Sequence, residues 1–533
     1  MKLTIESVDF SIILIYLVGI VGLGCWAGLR RRVVEGDAYF LAGKSLTWPV
    51  IGLALFSTNI STIHLVSLAQ EGYVNGLAYG NFEWMATFTL IALSLFFAPF
   101  YIRSGVATLP DFLEKRYSPS CRDCLALISI ISAVFIHIGF SLYTGAVVLR
   151  GLFGVGILWS IVLISLFTGL YTIVGGLLAV VWTESLQAVI LLAGAGCITF
   201  IGYQQVGGWS GLAGCVEPVR LTVLRSADDP CNLPWYSVFL GYPVIGLWYW
   251  CADQTIVQRV LGAKDENHAR VGPLFTGFIK ILPVFIFVLP GLICFGLIRQ
   301  GKLPDTLSDS ADTYAFMINH LLPAGLKGLV AAALLAALMS TVSGALNSIA
   351  TLFSYDIYKR WLPDTPDRTL IKIGRIATFV AMVAAIAWSP FVSHFESIFQ
   401  GISAVICYIA PPITAVFLWG VFWRRASAAA AFATLCFGFA VGFVVFLLDW
   451  FKESTGWNIP FMMSAFYLFV ICSGVLCLIS LWKPHLHTSE SEALVWEDPL
   501  DALRGPAWRG LGNYRLLSLL LFVTMLLLYY TFA

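Results

Sequence analysis

Long apolar runs alternate with short polar segments along almost the whole chain. Counting stretches of about twenty apolar residues, the length that spans a bilayer as a helix, gives about fourteen predicted spans. They lie near 8–29, 46–69, 79–103, 123–147, 152–175, 181–203, 235–260, 272–298, 312–355, 369–390, 394–423, 427–450, 460–482 and 513–532. The segment 312–355 is too long for one span, so part of it should form a separate helix or loop outside the membrane. The pattern predicts an all-α polytopic membrane protein.

Two of these apolar segments are interrupted near their middle. The stretch Ile51–Gln70 reads IGLALFSTNISTIHLVSLAQ, with a polar run at its centre, and 235–260 carries Gly, Pro and polar residues mid-span. Polar groups at membrane depth are costly, and a broken helix there frees backbone carbonyls that can coordinate a cation. Ser and Thr alone would equally suit a close helix contact. Asn59 and His64, however, favour an ion and solute site.

The composition, 59% hydrophobic and 11% charged with a net charge of +1, is typical of a membrane protein and excludes a general electrostatic design for nucleic acid. Basic residues concentrate in alternate loops, which are predicted to face inward. These are Arg30–Arg32, Lys44, Arg103, Lys115, Arg116, Arg122, Arg259, Lys264, Arg270, Lys359, Arg360, Arg368, Lys372, Arg375, Arg424, Arg425 and Lys483. The pattern predicts a plasma (inner) membrane protein with both termini outside. Cys215 and Cys231, in an outer loop, allow a disulfide.

A second polar cluster occurs in AAALLAALMSTVSGALNS, residues 331–348. Ser340, Thr341 and Ser343 would lie around about one helical turn, and their hydroxyls would suit a monovalent cation together with freed carbonyl oxygens. The alternative is packing of small residues between helices, which explains the alanines well.

Several ionisable or aromatic residues fall inside predicted spans. Glu83 and Lys280 are candidates for hydrogen bonding to a polyhydroxylated solute, or for pairing with each other. Tyr249 and Trp250 could stack on a sugar or belong to an aromatic belt. Glu184, near an inner end, could reach the interface or bind a cation. His137 has the setting of a satisfied core histidine.

Nine strings occur in order that together resemble the sodium/solute symporter family, and within it the sodium/glucose cotransporters. They are FLAGKSLTW, FSTNISTIH, FEWMA, YIRSGVATLPDFLEKRY, GGLLAVVWTESLQ, WYWCADQTIVQR, FIKILPVFIFVLPG, ALMSTVSGALNS and APPITAVFLWGVFWRR. The resemblance implies a LeuT-type fold with two inverted five-helix repeats. It divides the chain into an extra helix (1–35), the first repeat (36–205), the second repeat (206–425) and C-terminal helices (426–533).

The resemblance also implies particular binding residues. For sodium, the matching positions are Ser57, Ile60, Ala337, Ser340 and Thr341. For a second sodium, they are Glu184, Ser340 and Ser343, where Glu184 replaces an aspartate and Gly344 replaces a frequent hydroxyl. For the solute, they are Asn59, His64, Glu83, Tyr249, Trp250, Lys280 and Ser403. Ser403 stands where a glutamine is usual and Gly246 where a polar residue is usual, and both changes are expected to enlarge the pocket.

These features predict a transporter and not an enzyme. The expected activity is sodium-coupled symport of a hexose or polyol by alternating access, with sodium, the solute and the bilayer as partners and no nucleic acid. No sequence feature identifies an accessory subunit. The alternatives are symport of an inositol, a sialic acid or an organic acid, or a solute sensor or sodium-leak channel on the same fold.

Overall fold

The computed structural model describes residues 6–30, 35–231, 233–307, 309–394, 398–484 and 487–533, and this part of the chain is helical with no β-strand. The charged stretch 31–34, which includes Arg31 and Arg32, lies outside the described residues. The all-α prediction is therefore confirmed.

The α-helices are numbered α1 to α25 in chain order. They are Ser7–Arg30, Gly36–Phe40, Trp48–Asn59, Thr62–Asn75, Asn81–Ala92, Ala98–Arg103, Leu109–Arg116, Pro119–Ser132, Ser141–Phe153, Ile157–Val206, Gly208–Ala213, Trp235–Leu247, Gln254–Leu261, Glu266–Ile279, Leu289–Arg299, Thr313–Leu321, Leu326–Leu352, Lys359–Trp361, Asp367–Trp388, Ile398–Phe422, Ala428–Trp450, Lys452–Thr455, Phe461–Trp482, Ser489–Glu492 and Tyr514–Phe532. Wider π-helical segments are Leu93–Phe97, Ala133–Phe140, Trp248–Ala252, Val284–Val288 and Phe353–Tyr358. Short 3₁₀ helices are Ala42–Lys44, Gly76–Gly80, Pro218–Leu221, Ser310–Asp312, Ser389–His394, Pro499–Leu503 and Gly510–Gly512.

Within the described residues, eleven helical runs are long and apolar enough to cross a membrane. One of them, α10, combines two predicted spans, which meet at Gly176, where φ is 59° and ψ is −158°. Such a positive φ suits glycine and interrupts the helix. The long segment 312–355 divides into α16 and α17, which confirms that one span does not account for it. The exact number of fourteen spans stays a prediction.

Both interrupted segments are broken helices, as predicted. The first ends as α3 at Asn59, passes through Ile60 in an extended conformation (φ −79°, ψ 106°), and resumes as α4 at Thr62. The second passes from α12 through a π-helical turn to an extended Asp253 and resumes as α13. Asp253 stabilises the new start, because its Oδ1 accepts a hydrogen bond from the Thr255 N–H at 2.7 Å. Each break interrupts the hydrogen bonds within the helix at a buried residue, so backbone groups there lack partners in their own helix.

Helix α17 is the most enclosed element, since every residue from Val330 to Leu352 is buried. Its small Ala, Gly and Ser residues allow close approach of α10, α1 and α3. The first helix also caps it: Asp9 Oδ1 accepts hydrogen bonds at 2.7 Å from the N–H groups of Gly325 and Gly328. The Asp9 carboxylate thus satisfies backbone N–H donors at the start of α17 and balances the partial positive charge of that helix end.

Residues from several predicted inner loops meet one another in space. Arg103 pairs with Glu266 at 2.8 Å, and Lys115 pairs with Glu490 at 3.1 Å. The polar stretch that includes Glu490 is anchored by Trp496, whose Nε1 donates to the Phe96 carbonyl at 3.1 Å. The assignment of Arg259 to a loop is wrong, however. Arg259 lies in α13, and its fully buried side chain pairs with the carboxylate of Glu184.

The polar loop after α11 holds two separate thiols. Cys215 Sγ lies 3.2 Å from the Leu212 carbonyl, and both Cys215 and Cys231 are free, so the disulfide that the sequence allowed does not form. The loop is held instead by guanidinium groups. Arg220 and Arg225 donate to carbonyl oxygens at the end of α4, at 2.9 and 2.6 Å.

Helices α4 and α15 approach so closely that only glycine fits at their crossing. A Cβ at Gly291 would lie 1.8 Å from the Ala69 carbonyl oxygen, and one at Gly72 would lie 2.0 Å from the Val288 carbonyl oxygen. We expect Gly291→Ala to push the helices apart and to destabilise the protein by about 1–3 kcal/mol, as overpacking does. The measurement is the thermal unfolding temperature of the purified protein in detergent.

A matched control for this substitution is Gly196→Ala in α10. A Cβ at Gly196 meets no atom within 4 Å among the described residues. It should leave the unfolding temperature unchanged or raise it slightly, because alanine favours a helix over glycine. Equal effects of the two substitutions would contradict the close-packing argument.

Candidate functional site

A cavity lies between the two broken helices and is lined by every residue that the sequence predicted for solute binding. Its walls are formed by Asn59, Ser61, Ile63, His64, Phe82, Glu83, Ile136, His137, Ser141, Tyr242, Ile245, Gly246, Tyr249, Trp250, Lys280, Thr341, Ile402, Ser403 and Ile406. The predicted residues come from α3, α4, α5, the π-helical turn after α12, the end of α14, and α20. The fold therefore gathers side chains that are up to several hundred residues apart in sequence.

Lys280 is the centre of the polar wall. Its Nζ donates a hydrogen bond to Asn59 Oδ1 at 2.6 Å and another to Glu83 Oε2. It also lies 5.6 Å from the centre of the Trp250 ring, within the range of a cation–π contact. Lys280 and Glu83 are both almost fully buried, so each neutralises the other's charge in a setting of low polarity. Of the two roles that the sequence left open for them, the structure shows the pairing with each other.

His64 is oriented by the break itself. The Ser61 N–H donates to His64 Nδ1 at 3.2 Å, in a capping arrangement at the start of α4. A nitrogen that accepts a hydrogen bond carries no proton, so the neutral ring holds its proton on Nε2. That atom lies 3.9 Å from Glu83 Oε1, and His64 lines the cavity, so the ring can donate to a solute oxygen.

Aromatic side chains line the cavity next to this polar group. The rings of Tyr249 and Trp250 meet edge to face with centroids 5.2 Å apart. Tyr242 and Thr89 occupy the space next to Gly246. A Cβ at residue 246 would lie 2.7 Å from the Tyr242 ring and 2.9 Å from the Thr89 methyl group. The expectation that Gly246 enlarges the pocket is therefore wrong, because neighbouring side chains occupy the space.

One cavity residue, His137, belongs to a buried polar pair that the sequence reasoning missed. His137 Nε2 lies 3.1 Å from Asp253 Oδ2, at the extended residue of the second break. His137 is indeed a satisfied buried histidine, but it also lines the cavity together with Ser141. The available sequence signal was an acidic residue, Asp253, three positions after the last aromatic residue of the second broken segment.

Beside this cavity, the first break meets α17 in a cluster of oxygen atoms. Ser340 Oγ donates to the carbonyl oxygens of Ser57 and Ala337 at 2.8 and 3.0 Å. Thr341 Oγ1 donates to the carbonyl oxygens of Thr58 and Ala337 at 3.1 and 3.2 Å. We call this group of hydroxyl and carbonyl oxygens the oxygen cage.

The oxygen cage has the composition that a hard monovalent cation requires. The Ser57 and Thr58 carbonyls accept hydrogen bonds from α17 and not from their own helix, because α3 ends at Asn59. Ile60, the remaining predicted ligand, is the buried residue at the break. Among the described residues, the buried Ser57 Oγ has no hydrogen-bond partner, so it too is available. These neutral oxygens suit sodium better than a divalent ion.

The residues predicted for a second sodium are only partly brought together. Ser343 Oγ donates to the Ser340 carbonyl at 3.0 Å, so these two serines adjoin the oxygen cage. Glu184 is fully buried and pairs with Arg259, with Oε1 2.5 Å from Nη2 and Oε2 3.2 Å from Nε. The interpretation that Glu184 reaches the membrane interface is therefore wrong.

Comparison with solved structures establishes the class of fold. The structure of a Na⁺-coupled sialic acid symporter in a substrate-bound outward-open state aligns with a TM-score of 0.78, covering 91% of this chain and 100% of that chain at 22% sequence identity. The chain thus has the LeuT-type fold of sodium-coupled transporters, as the resemblance implied.

Comparison of sequences establishes the family. The model of the sodium:solute symporter family matches residues 39–438. The chain is 35% identical to sodium/glucose cotransporter 4 of Mus musculus, over 84% of this chain and 70% of that protein. It is 34% identical to the sodium/mannose cotransporter of Bos taurus, over 92% of this chain and 89% of that protein. The chain belongs to the sodium:solute symporter family. It is a multi-pass membrane transporter coupled to sodium, and not an enzyme.

Proposed function

We propose that the chain imports a hexose or a related polyol together with sodium, and that the cavity and the oxygen cage are the two binding sites. The observation that carries this proposal is the group of Lys280, Glu83 and Asn59 facing a cavity beside an aromatic wall. Thr341 belongs both to the oxygen cage and to the cavity lining, so the two sites share a side chain.

The chemistry of the cavity wall matches a polyol. A sugar hydroxyl both donates and accepts hydrogen bonds, and the wall offers the Glu83 carboxylate as an acceptor, the Lys280 ammonium as a donor and the Asn59 amide as both. The apolar face of a hexose ring can lie against Tyr249 or Trp250. The names of similar proteins, which include glucose and mannose cotransporters, support the same class of solute.

Coupling follows from the position of the oxygen cage. A sodium ion there would take the carbonyl oxygens that Ser340 and Thr341 now hold by hydrogen bonds, and it would join the broken first helix to α17. Asn59 lies at the end of the same broken helix and contacts Lys280. Sodium would therefore fix the solute-binding side of the break, and Tyr249 would close the cavity toward the inside. Alternating access then requires that sodium and solute stabilise the same state of the transporter.

The available driving force sets the expected accumulation. One sodium ion moving through about 100 mV releases about 2.3 kcal/mol. A tenfold sodium gradient adds about 1.4 kcal/mol, so together they sustain a solute ratio of roughly several hundred.

The test is uptake of radiolabelled glucose, galactose and mannose into proteoliposomes. We expect accumulation above the external concentration with an inward sodium gradient, and only equilibration with a matched potassium gradient. Accumulation of none of these sugars would contradict the hexose assignment, and the screen would then extend to inositol, sialic acid and organic acids. A sodium current with no solute accumulated would favour the channel or sensor alternative.

The proposed location is the plasma (inner) membrane, with both termini outside. The contacts Arg103–Glu266 and Lys115–Glu490 support a common side for these predicted inner segments. Arg220 and Arg225 belong to the opposite, outer group and contact the end of α4 instead. The alternation of basic loops assigns the first group to the inside.

A further inference from the structure

His137 and Asp253 form a buried pair that joins the cavity to the second break. His137 belongs to the π-helical segment Ala133–Phe140, and Asp253 is the extended residue that precedes α13. His137 Nε2 lies 3.1 Å from Asp253 Oδ2, and both side chains are buried. The other carboxylate oxygen, Oδ1, accepts the Thr255 N–H, so the Asp253 side chain is held at the start of α13. The break thus fixes the orientation of the His137 ring.

The hydrogen bond to Asp253 determines which ring nitrogen remains for a ligand. An ionised carboxylate only accepts hydrogen bonds, so His137 Nε2 carries a proton and is the donor. In the neutral ring, Nδ1 then holds a lone pair and acts as an acceptor. Among the described residues, no group hydrogen-bonds to Nδ1 of His137. The ring lines the cavity, where a solute hydroxyl can supply the missing donor.

His137 and Lys280 lie beside different rings of the aromatic pair. The centroid of the His137 ring lies 6.1 Å from that of Tyr249, whereas the Lys280 ammonium lies 5.6 Å from the centre of the Trp250 ring. A hexose carries hydroxyls on several carbons around its ring. A sugar whose apolar face lies against these aromatic side chains can therefore be bound by both polar groups at once.

The charges near the cavity favour a neutral solute over an anionic one. Lys280 is balanced by Glu83, and any positive charge on His137 is balanced by Asp253. The described residues of the cavity wall therefore offer no net positive charge that would attract a carboxylate. A carboxylate also has no proton to donate to Nδ1, whereas a hydroxyl has one.

We propose that His137 is a solute-binding residue: its Nδ1 accepts a hydrogen bond from one hydroxyl of the transported sugar, and Asp253 holds the ring in position to do so. The inference rests on the proposed function and adds a residue that selects among neutral polyols by the position of one hydroxyl. A solute without a donor at that position leaves Nδ1 without a partner, so it binds about tenfold more weakly.

The test uses monodeoxy and monofluoro analogues of a sugar that the unmodified protein accumulates, each as a competitor of the radiolabelled sugar. Hydrogen neither donates nor accepts a hydrogen bond, and fluorine does not donate one, so both analogues lose the proposed bond at the hydroxyl that His137 binds. We expect at least one position at which both replacements weaken competition by about tenfold. If fluorine competes as well as hydroxyl at every position, the proposal is overturned, whatever the variants do.

The residue His137 is assigned by two matched substitutions. In His137→Gln the amide nitrogen lies near the place of Nε2, so it still donates to Asp253, but no acceptor remains near Nδ1. In His137→Asn the amide oxygen lies near the place of Nδ1, so the acceptor remains and the bond to Asp253 is lost. We expect His137→Gln to remove the penalty at that one position while other positions keep theirs, and His137→Asn to retain it. An unchanged pattern of penalties in His137→Gln overturns the proposal, because His137 would then act only by holding Asp253.

Failure of the proposed function gives a different result. If the unmodified protein accumulates no hexose under a sodium gradient, the hexose assignment is overturned, and this inference with it. If it accumulates a hexose and His137→Gln discriminates among the analogues as the unmodified protein does, only the role of His137 is overturned.

Discussion

Glu83→Gln is expected to abolish sodium-driven sugar accumulation while sodium binding persists. Glu83 lines the cavity, pairs with Lys280 and lies on α5, which contributes no residue to the oxygen cage. A hydrogen bond to a charged group contributes about 1.5–3 kcal/mol, so loss of this acceptor alone should weaken solute binding by about tenfold to more than a hundredfold. Isothermal titration of the purified protein with sugar and with sodium measures both affinities.

The same substitution also leaves the Lys280 ammonium buried without its counter-charge. Removing one partner of a buried pair typically costs about 3–5 kcal/mol, so Glu83→Gln should unfold at a lower temperature. The double variant Glu83→Gln with Lys280→Met removes both charges, and we expect it to recover much of the stability without recovering sugar binding. Recovery of sugar binding in the double variant would show that Glu83 acts only by balancing Lys280.

Local features of the sequence were enough to predict the main elements of this site. Polar residues inside apolar segments at Asn59 and His64 located the first break, because such residues are costly in a membrane unless they serve a site. The hydroxyl cluster of Ser340 and Thr341 indicated its partner helix. Glu83 and Lys280 stood out as ionisable residues inside predicted spans, and pairing with each other was one of the two roles that the sequence left open.

Features that depend on distant contacts could not be predicted in the same way. Arg259 was counted with the inner loop because it lies at the end of the predicted span 235–260, but it belongs to the second broken helix and its side chain is buried. Gly246 suggested free space, yet Tyr242 fills that space from one turn away on the same helix. Periodicity and composition describe one segment at a time. The burial of Arg259 and the space beside Gly246 depend on which side chains lie next to them in the folded protein.

Ser340→Ala is expected to abolish sodium-dependent uptake by weakening sodium binding. The Ser340 hydroxyl lies 2.8 Å from the Ser57 carbonyl and 3.0 Å from the Ala337 carbonyl, so together with Thr341 it links the broken helix to α17 within the oxygen cage. Without it, a bound sodium would lose one ligand from a set of neutral oxygens, and the nearby Glu184 carboxylate is paired with Arg259 and does not compensate. Sodium titration of uptake, extended to high sodium concentration, measures the shift.

Ser348→Ala provides a matched control, because Ser348 is also a fully buried serine of α17, two turns further along. Both substitutions remove one buried hydroxyl from the same helix, and only Ser340 belongs to the oxygen cage. We expect Ser348→Ala to keep the sodium dependence of the unmodified protein. Unchanged sodium affinity in a folded Ser340→Ala protein would contradict the assignment of sodium to the oxygen cage. Equal losses in both variants would mean that α17 tolerates no change in its packing, and the hydroxyl of Ser340 would then have no special role in coupling.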